Sequence, residues 1–438
     1  VIDVDTILEP YQRFGVHLGL DRIQSLLANL GNPQQQYPII HVAGSNGKGS
    51  VCAYLSGILT AAGYRVGRYT SPHLVNWCER ICLNEEAIAP IALQQVLEQV
   101  EAAISPLEMP TQFEVITAAS WLYFAQQQVE IAIVEVGLGG RLDATNVCDR
   151  PLVSIITSLS REHWQVLGPT LADIAREKAG ILKVGSPAIV GLLPAEAAVV
   201  VAEQIAALNC PVDWPESAQE IPRPTDSGSP KPMPWAEFRG IQYPLPLAGE
   251  VQLRNSSLAI AAVQVLRQQG WSITDAAIQD GMAHTHWPGR LQWVHWQEHR
   301  LLIDGAHNPA AAGVLRQFVD RLGDARSVQW VMGMLSTKDH SEIFQTLLRS
   351  GDALYLVPVP DHSSANPIEL TQLAQRQCPG LTHCQPYPDL ASGLQAAFQD
   401  SSDFKNQDDI EPLTILCGSL YLIGHFFKHQ DCGSKPTR

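Results

Sequence analysis

Gly44-Ser45-Asn46-Gly47-Lys48-Gly49-Ser50 stands between a β-branched run, Ile39, Ile40 and Val42, and an apolar stretch of helical spacing, Val51, Tyr54, Leu55, Ile58 and Leu59. Strand, glycine-rich turn, lysine, hydroxyl and helix is the order a phosphate cradle requires. Glycines let backbone N–H groups close around phosphate oxygens, and the helix N-terminus adds positive potential. Lys48 is placed to reach the outer phosphates, and Ser50 or a nearby hydroxyl to face Mg²⁺. Position 42, where the usual loop has its first glycine, is valine. ATP or GTP is the expected ligand; the alternative is a glycine-rich turn with a chance lysine.

A phosphate loop needs a group to hold its metal. Glu135 lies near the end of the apolar run Ile131–Val136, and the glycine-rich Gly137-Leu138-Gly139-Gly140-Arg141-Leu142-Asp143 follows that run. A carboxylate in a buried strand is costly unless paired or metal-bound; a salt bridge to Arg141 is the other account. Ser160-Arg161-Glu162-His163 follows the run Leu152–Ser158, and Ser71-Pro72 follows Arg65–Tyr69. Open α/β sheets bind ligands at the carboxyl ends of their strands. His163 and Ser71 are therefore candidate metal ligands, with a structural histidine and an ordinary turn as alternatives. Lys178 ends a helix beginning near Thr170, where it serves either the helix dipole or the site. Farther on, Ile303-Asp304-Gly305-Ala306-His307-Asn308-Pro309 is again strand, turn and helix, in which Asp304 or Asn308 also suits a cap.

The elements that must position these groups alternate. Strand-like runs and apolar helical segments succeed one another from about Tyr37 to Leu193, which indicates a largely parallel sheet covered by helices. The proline-rich 211–246 region breaks the rhythm and reads as a loop or short irregular strands, with a disordered linker as the alternative. Asn255–Gln269 reads as a helix started by an Asn or Ser cap. After His284–Arg290 the alternation restarts, with strands at Leu301–Asp304, Val328–Met334, Ala353–Pro358 and Leu413–Cys417. With 438 residues two domains are expected: 1–288 around the phosphate loop, and 289–438, smaller and doubly wound.

Composition narrows the partners. The formal charge of −15 argues against broad attraction to nucleic acid or anionic lipid, so a few local cations must hold any anionic substrate. No apolar run is long and continuous enough for a membrane span, and no basic-then-apolar leader is seen. Nine scattered cysteines without paired zinc spacing read as reduced thiols in a cytoplasm.

Taken together, HVAGSNGKGSV, YTSPHL, TQFEVITAA, EVGLGGRLDATN, HWQVLG, REKAGI, PGR, DGAHNP and GMLSTKD resemble, in order and over nearly the whole chain, the folylpolyglutamate synthase/dihydrofolate synthase family of the Mur-ligase superfamily. The resemblance implies a P-loop Mur-ligase-like central domain with a mostly parallel sheet and a smaller Rossmann-like C-terminal domain. It implies an ATP-dependent ligase in which a carboxylate takes the γ-phosphoryl of ATP, and the amine of L-glutamate displaces phosphate from the acyl phosphate. The expected substrates are ATP, L-glutamate, dihydropteroate and reduced folates, handled by a monomer.

By the same resemblance Ser45, Asn46, Gly47, Lys48, Gly49 and Ser50 bind ATP phosphates, and Ser71, Glu135 and His163 hold Mg²⁺. Asn255, Arg290 and Asp304 contact the nucleotide as the domains close. The pterin falls to His17, Leu18, Gly19 and Leu20, to Thr111, Gln112, Phe113 and Glu114, and to Leu142, Asp143 and Ala144. Lys178 matches a lysine carbamylated in the family, and His307 is a candidate for the acyl phosphate or the incoming glutamate. Two departures stand out: Glu162 replaces the Asp that many members carry before the metal histidine, and His17 replaces a frequent Asp. The rivals are a Mur-type ligase acting on another carboxylate and a P-loop switch protein. The latter would carry an Asp-x-x-Gly switch and an Asn-Lys-x-Asp motif, and neither is found in a suitable position.

Overall fold

The computed structural model of the chain describes residues 4–12, 18–223, 233–323, 327–402 and 412–429. His17 lies outside the described residues. The chain divides into two compact units, residues 1–246 with 251–286, and residues 247–250 with 287–438.

The first unit is built on an eight-stranded sheet. Its strands in chain order are β1 (Ile39–Ala43), β2 (Val66–Tyr69), β3 (Ile81–Leu83), β4 (Glu86–Ala87), β5 (Ile131–Glu135), β6 (Val153–Ile156), β7 (Ala188–Val190) and β8 (Val212–Asp213). Their spatial order is β4-β3-β2-β5-β1-β6-β7-β8. All neighbours from β2 to β8 pair in parallel, while β3 and β4 are antiparallel additions at one edge. Every residue of β1 and β5 is buried, which explains their continuous apolar runs: helices cover both faces of a parallel sheet. After β1 the chain turns toward β2, and after β6 it turns the other way, toward β7. The adjacent carboxyl ends of β1 and β6 thus form a topological switch point, where such sheets take their ligands.

One helix shows how sequence becomes packing. Gln112–Gln126 starts at Thr111, whose side chain accepts from the Glu114 N–H while the Glu114 carboxylate accepts from the Thr111 N–H. This reciprocal cap satisfies two otherwise orphaned donors. Val115, Ala119, Trp121 and Phe124 then pack with Tyr37, Ile39 and Leu27 in one core, each large side chain contributing roughly 1.5–3 kcal/mol by leaving water. In the proline-rich region β9 (Gln219–Ile221), β10 (Trp235–Phe238) and β11 (Ile241–Pro244) form a small antiparallel sheet, so short strands do occur there. Residues 224–232 lie outside the described residues.

The helix expected to begin at Asn255 begins four residues earlier and spans Val251–Gln268. Asn255 is consequently a buried interior residue, with its side chain turned to the phosphate loop rather than to a cap.

The second unit carries β12 (Gln292–Trp296), β13 (His299–Ile303), β14 (Val328–Met332), β15 (Ala353–Leu356), β16 (His383–Pro386) and β17 (Leu413–Cys417), in the order β12-β13-β17-β14-β15-β16. Only the β12–β13 pair is antiparallel. Its core gathers Trp330, Met332, Phe344, Leu354 and Ile415. Among the described residues no helix is long and apolar enough to cross a membrane.

Candidate active site

The phosphate loop leaves β1 at Ala43 and enters the helix Lys48–Ala61 at Gly47. Two glycines are forced by close approach and by left-handed backbone. Gly44 has φ 147°, and a Cβ there would lie 2.0 Å from Thr157 Oγ1; Gly47 has φ 88°, and its Cβ would lie 2.5 Å from Asn255 Oδ1. The loop is tied to the segment that follows β6. Ser45 N–H donates to the Ser158 carbonyl at 2.7 Å, Asn46 N–H to Ser158 Oγ at 3.1 Å, and Thr157 Oγ1 to the Asn46 carbonyl at 2.7 Å. Ser45 Oγ accepts from Ser160 N–H at 3.0 Å. These bonds hold the loop open without occupying the helix N-terminus, where anions are favoured.

Lys48 Nζ folds back to the Gly44 carbonyl at 3.0 Å and lies 3.9 Å from Glu135 Oε1. The other Glu135 oxygen accepts from Ser71 N–H at 3.1 Å. Glu135 is 4% exposed and is not paired with Arg141, which instead binds Glu177 at 2.8 Å. The strand-end carboxylate thus faces the loop lysine and Ser71. Ser50, by contrast, is buried with its hydroxyl accepting from Gln252 Nε2 at 3.4 Å, so of these two serines it is Ser71 whose backbone meets the carboxylate. A carboxylate, a hydroxyl and room for phosphate oxygens are the donors a small hard cation takes, and Glu135 with Ser71 fits Mg²⁺. His163 is exposed at the start of the short helix Trp164–Leu167, beyond β6. Among the described residues no cluster of three His, Cys, Asp or Glu side chains forms a metal cage by itself.

Lys178 is no exposed helix-end cation. It sits in the last turn of Leu171–Ala179, only 2% exposed. Its Nζ donates to the Gly44 carbonyl at 2.8 Å and to Glu162 Oε1 at 2.9 Å. Burial pushes the Lys178 ammonium toward its neutral form, and Glu162 opposes this. Burial also pushes the Glu162 carboxyl up, but Lys178, then Lys48 and His163, outweigh it and hold the acid well below the usual carboxylate range. Both lysines therefore meet at one carbonyl of the phosphate loop. Neither the pairing nor Glu162's part in it is legible in the local sequence around Lys178.

The residues expected at the pterin are brought together in part. Gly19 N–H reaches the Leu142 carbonyl at 3.4 Å, and Leu18 and Leu20 are half-buried beside it. Thr111 and Glu114 are spent on their helix cap, and Arg22, a residue the motifs passed over, pairs with Glu114 at 3.0 Å. Gln112 Nε2 donates to the Leu8 carbonyl at 3.4 Å, and Phe113 packs against Gly137. Asp143 is fully committed within its own loop. Oδ2 accepts from Leu138 N–H at 2.8 Å, and Oδ1 from the amide and hydroxyl of Thr145 at 3.0 and 2.5 Å. Ala144 is buried in the adjoining core.

In the second unit Asp304 follows β13. Its carboxylate accepts from Leu291 N–H at 2.9 Å and Ala306 N–H at 2.8 Å. Burial pushes its pKa up, against Arg290 and those two amides. Gly305 lies against Arg290, since a Cβ there would come 2.8 Å from Arg290 Nη1. His307 Nδ1 donates to the Gly305 carbonyl at 2.8 Å, and Asn308 caps the helix Pro309–Arg321. Arg290, Asp304 and His307 are thus gathered at one strand end.

Comparison with known proteins agrees with this architecture. Residues 42–263 match the model of the Mur ligase middle domain, and residues 290–429 that of the dihydrofolate synthetase C-terminal domain. The chain is 37% identical to folylpolyglutamate synthase of Lacticaseibacillus casei over 357 residues, covering 79% of this chain and 82% of that protein. It is 34% identical to dihydrofolate synthase/folylpolyglutamate synthase of Escherichia coli over 423 residues, 95% and 92% of the two chains. A solved structure of Mycobacterium tuberculosis folylpolyglutamate synthase, complexed with ADP and AMPPCP, superposes with a TM-score of 0.87 at 29% identity, covering 99% of this chain and 98% of that one. The chain belongs to the folylpolyglutamate synthase/dihydrofolate synthase family of Mur-type ligases.

Proposed function

We propose that the protein joins L-glutamate to dihydropteroate, forming dihydrofolate, and to the γ-carboxyl of reduced folates, each time at the expense of ATP. The observation that carries this reading is Lys48 held between the Gly44 carbonyl and Glu135 at the mouth of the glycine loop. A carboxylate is a poor electrophile until one of its oxygens becomes a leaving group. In the proposed first step an acceptor carboxylate oxygen attacks the γ-phosphorus, the bond to the β-phosphate oxygen breaks, and ADP leaves. In the second, the glutamate amine attacks the acyl carbon, phosphate departs with the former carboxylate oxygen, and the nitrogen loses a proton. Loop amides of Ser45, Asn46 and Gly47, the first turn at Gly49 and Ser50, and Lys48 orient the phosphates and offset their charge, which is most of the catalytic work in phosphoryl transfer. Mg²⁺, held by Glu135 and Ser71 with His163, would neutralise phosphate charge when bound.

Asn255 completes the nucleotide side of the first unit. Arg290 and Asp304 serve the nucleotide, and His307 the acyl phosphate or glutamate; Leu18–Leu20, Phe113 and the Leu142–Ala144 loop serve the pterin. Carbamylation of Lys178 is part of the proposal: burial favours the neutral amine that CO₂ requires, and the Glu162 pair must open first. Mass spectrometry of protein held in bicarbonate tests it. The enzyme works as a cytoplasmic monomer, which light scattering checks for oligomeric state and fractionation for compartment. The C-terminal match to dihydrofolate synthetase favours dihydropteroate as one acceptor, and the Lacticaseibacillus casei relative favours folates as the other. Phosphate release from ATP and glutamate, with dihydropteroate and tetrahydrofolate compared, tests the reading. Release with neither acceptor refutes it.

A further inference from the structure

His41 sits in the middle of β1, two residues before the strand ends in the phosphate loop, and is 1% exposed. Its Nε2 lies 2.9 Å from Thr145 Oγ1. That hydroxyl is 2.5 Å from Asp143 Oδ1, and a carboxylate only accepts. The hydroxyl proton therefore goes to Asp143, and Thr145 accepts from His41 Nε2–H. The direction of the chain places a proton on Nε2, and burial keeps the imidazole neutral, pushing the histidine pKa down to about 3. Asp143 in turn takes the amides of Leu138 and Thr145, which defines the shape of the loop between Gly137 and Asn146. The same loop touches Gly19 through Leu142.

We infer that His41 and Thr145 are positioning residues for the acceptor side of the site: the chain His41–Thr145–Asp143 locks the glycine-rich loop after β5 to the strand that carries the phosphate loop. It rests on the reading that this loop meets the pteridine acceptor. One central strand then holds phosphate at its end and, through one imidazole, sets the acceptor loop at a fixed distance from it. The role asks only for an N–H donor and a hydroxyl, with no proton transfer to substrate.

Thr145→Val removes only the hydroxyl and Thr145→Ser restores it. His41→Leu removes the donor, and His41→Gln returns an N–H near the Nε2 position. Thr145→Val and His41→Leu are expected to raise KM for dihydropteroate about five- to tenfold, the worth of one buried hydrogen bond, with KM for ATP within about twofold of the parent. The Ser and Gln variants should stay near parental values. Amide exchange at Leu138 and Thr145 should accelerate by a similar factor in Thr145→Val and not in Thr145→Ser. Equal changes in both KM values, or unaltered acceptor KM and amide exchange in a folded Thr145→Val protein, overturn the inference. Should His41→Leu fail to fold, the Thr145 pair decides the question alone. If the parent itself releases no phosphate with dihydropteroate, the functional reading fails, and amide exchange still tests the lock.

Discussion

Replacing Lys178 by alanine separates the buried ion pair from an ordinary helix-end charge. An exposed cation in the last turn would contribute about 0.3–1 kcal/mol. Lys178 instead has a side chain 3% exposed against a Glu162 side chain 8% exposed, 2.9 Å apart. Truncation leaves Glu162 ionised and without its principal counter-charge, with its side chain only 8% exposed. Breaking a buried pair from one side costs about 3–5 kcal/mol. The Gly44 carbonyl does not add to that cost, because Lys48 Nζ still donates to it at 3.0 Å. Replacing both charges together, as Glu162→Gln with Lys178→Met, removes the unpaired ion and keeps the volume. Such exchanges are often close to neutral, so the cycle closed by the single variants Glu162→Gln and Lys178→Met should show a coupling of at least about 2 kcal/mol. The assay is chemical denaturation at pH 7 in bicarbonate-free buffer, followed by circular dichroism. A Lys178→Ala protein within about 1 kcal/mol of the parent refutes the reasoning, as does a double variant no more stable than Lys178→Ala.

Lys48→Ala should lower the rate of ligation by about 10²–10³, the range for deleting one preorganised donor to developing charge, with an unchanged dichroism spectrum; near-normal turnover removes the phosphate-loop assignment. Glu135→Gln keeps an oxygen for Ser71 N–H but loses the charge, so the Mg²⁺ concentration for half-maximal activity should rise, and a superimposable titration curve places the metal elsewhere. For His41 the folded pKa is about 3, below the unfolded value of about 6.5. The unfolded chain alone takes up that proton between the two values. The stability involved is therefore complete above about pH 6.5 and is lost toward pH 3, at about 1.4 kcal/mol per pH unit. Between pH 6 and 4 the denaturation midpoint of the parent should fall relative to that of His41→Gln, and parallel curves contradict the value.

Much of the fold is legible because a doubly covered parallel sheet writes its strands as buried β-branched runs, as in Ile39–Val42 and Ile131–Val136. The phosphate loop and the strand-end glutamate are legible for the same reason, since their chemistry follows directly from their place in the chain. The first strand of the edge hairpin β12–β13 is not legible in the sequence, because Gln292–Trp296 is only half-buried and turns through Gln297 at φ 53°. In sequence Asn255 reads as a helix start because Asn and Ser favour caps; packing onto the phosphate loop overrides that preference. Least legible are the long-range pairs. Lys178 reaches Gly44 across 134 positions, and Arg22 reaches Glu114 across 92. Local spacing does not encode which buried charge will meet which partner.

The central claim is that an acceptor carboxylate becomes an acyl phosphate. It is tested most directly with dihydropteroate carrying ¹⁸O in its carboxylate, incubated with ATP and glutamate, and mass analysis of the released phosphate. If the carboxylate oxygen attacks the γ-phosphorus and later departs with it, each phosphate formed by ligation carries one label from the acceptor. Phosphate released in step with amide formation but free of label contradicts the account.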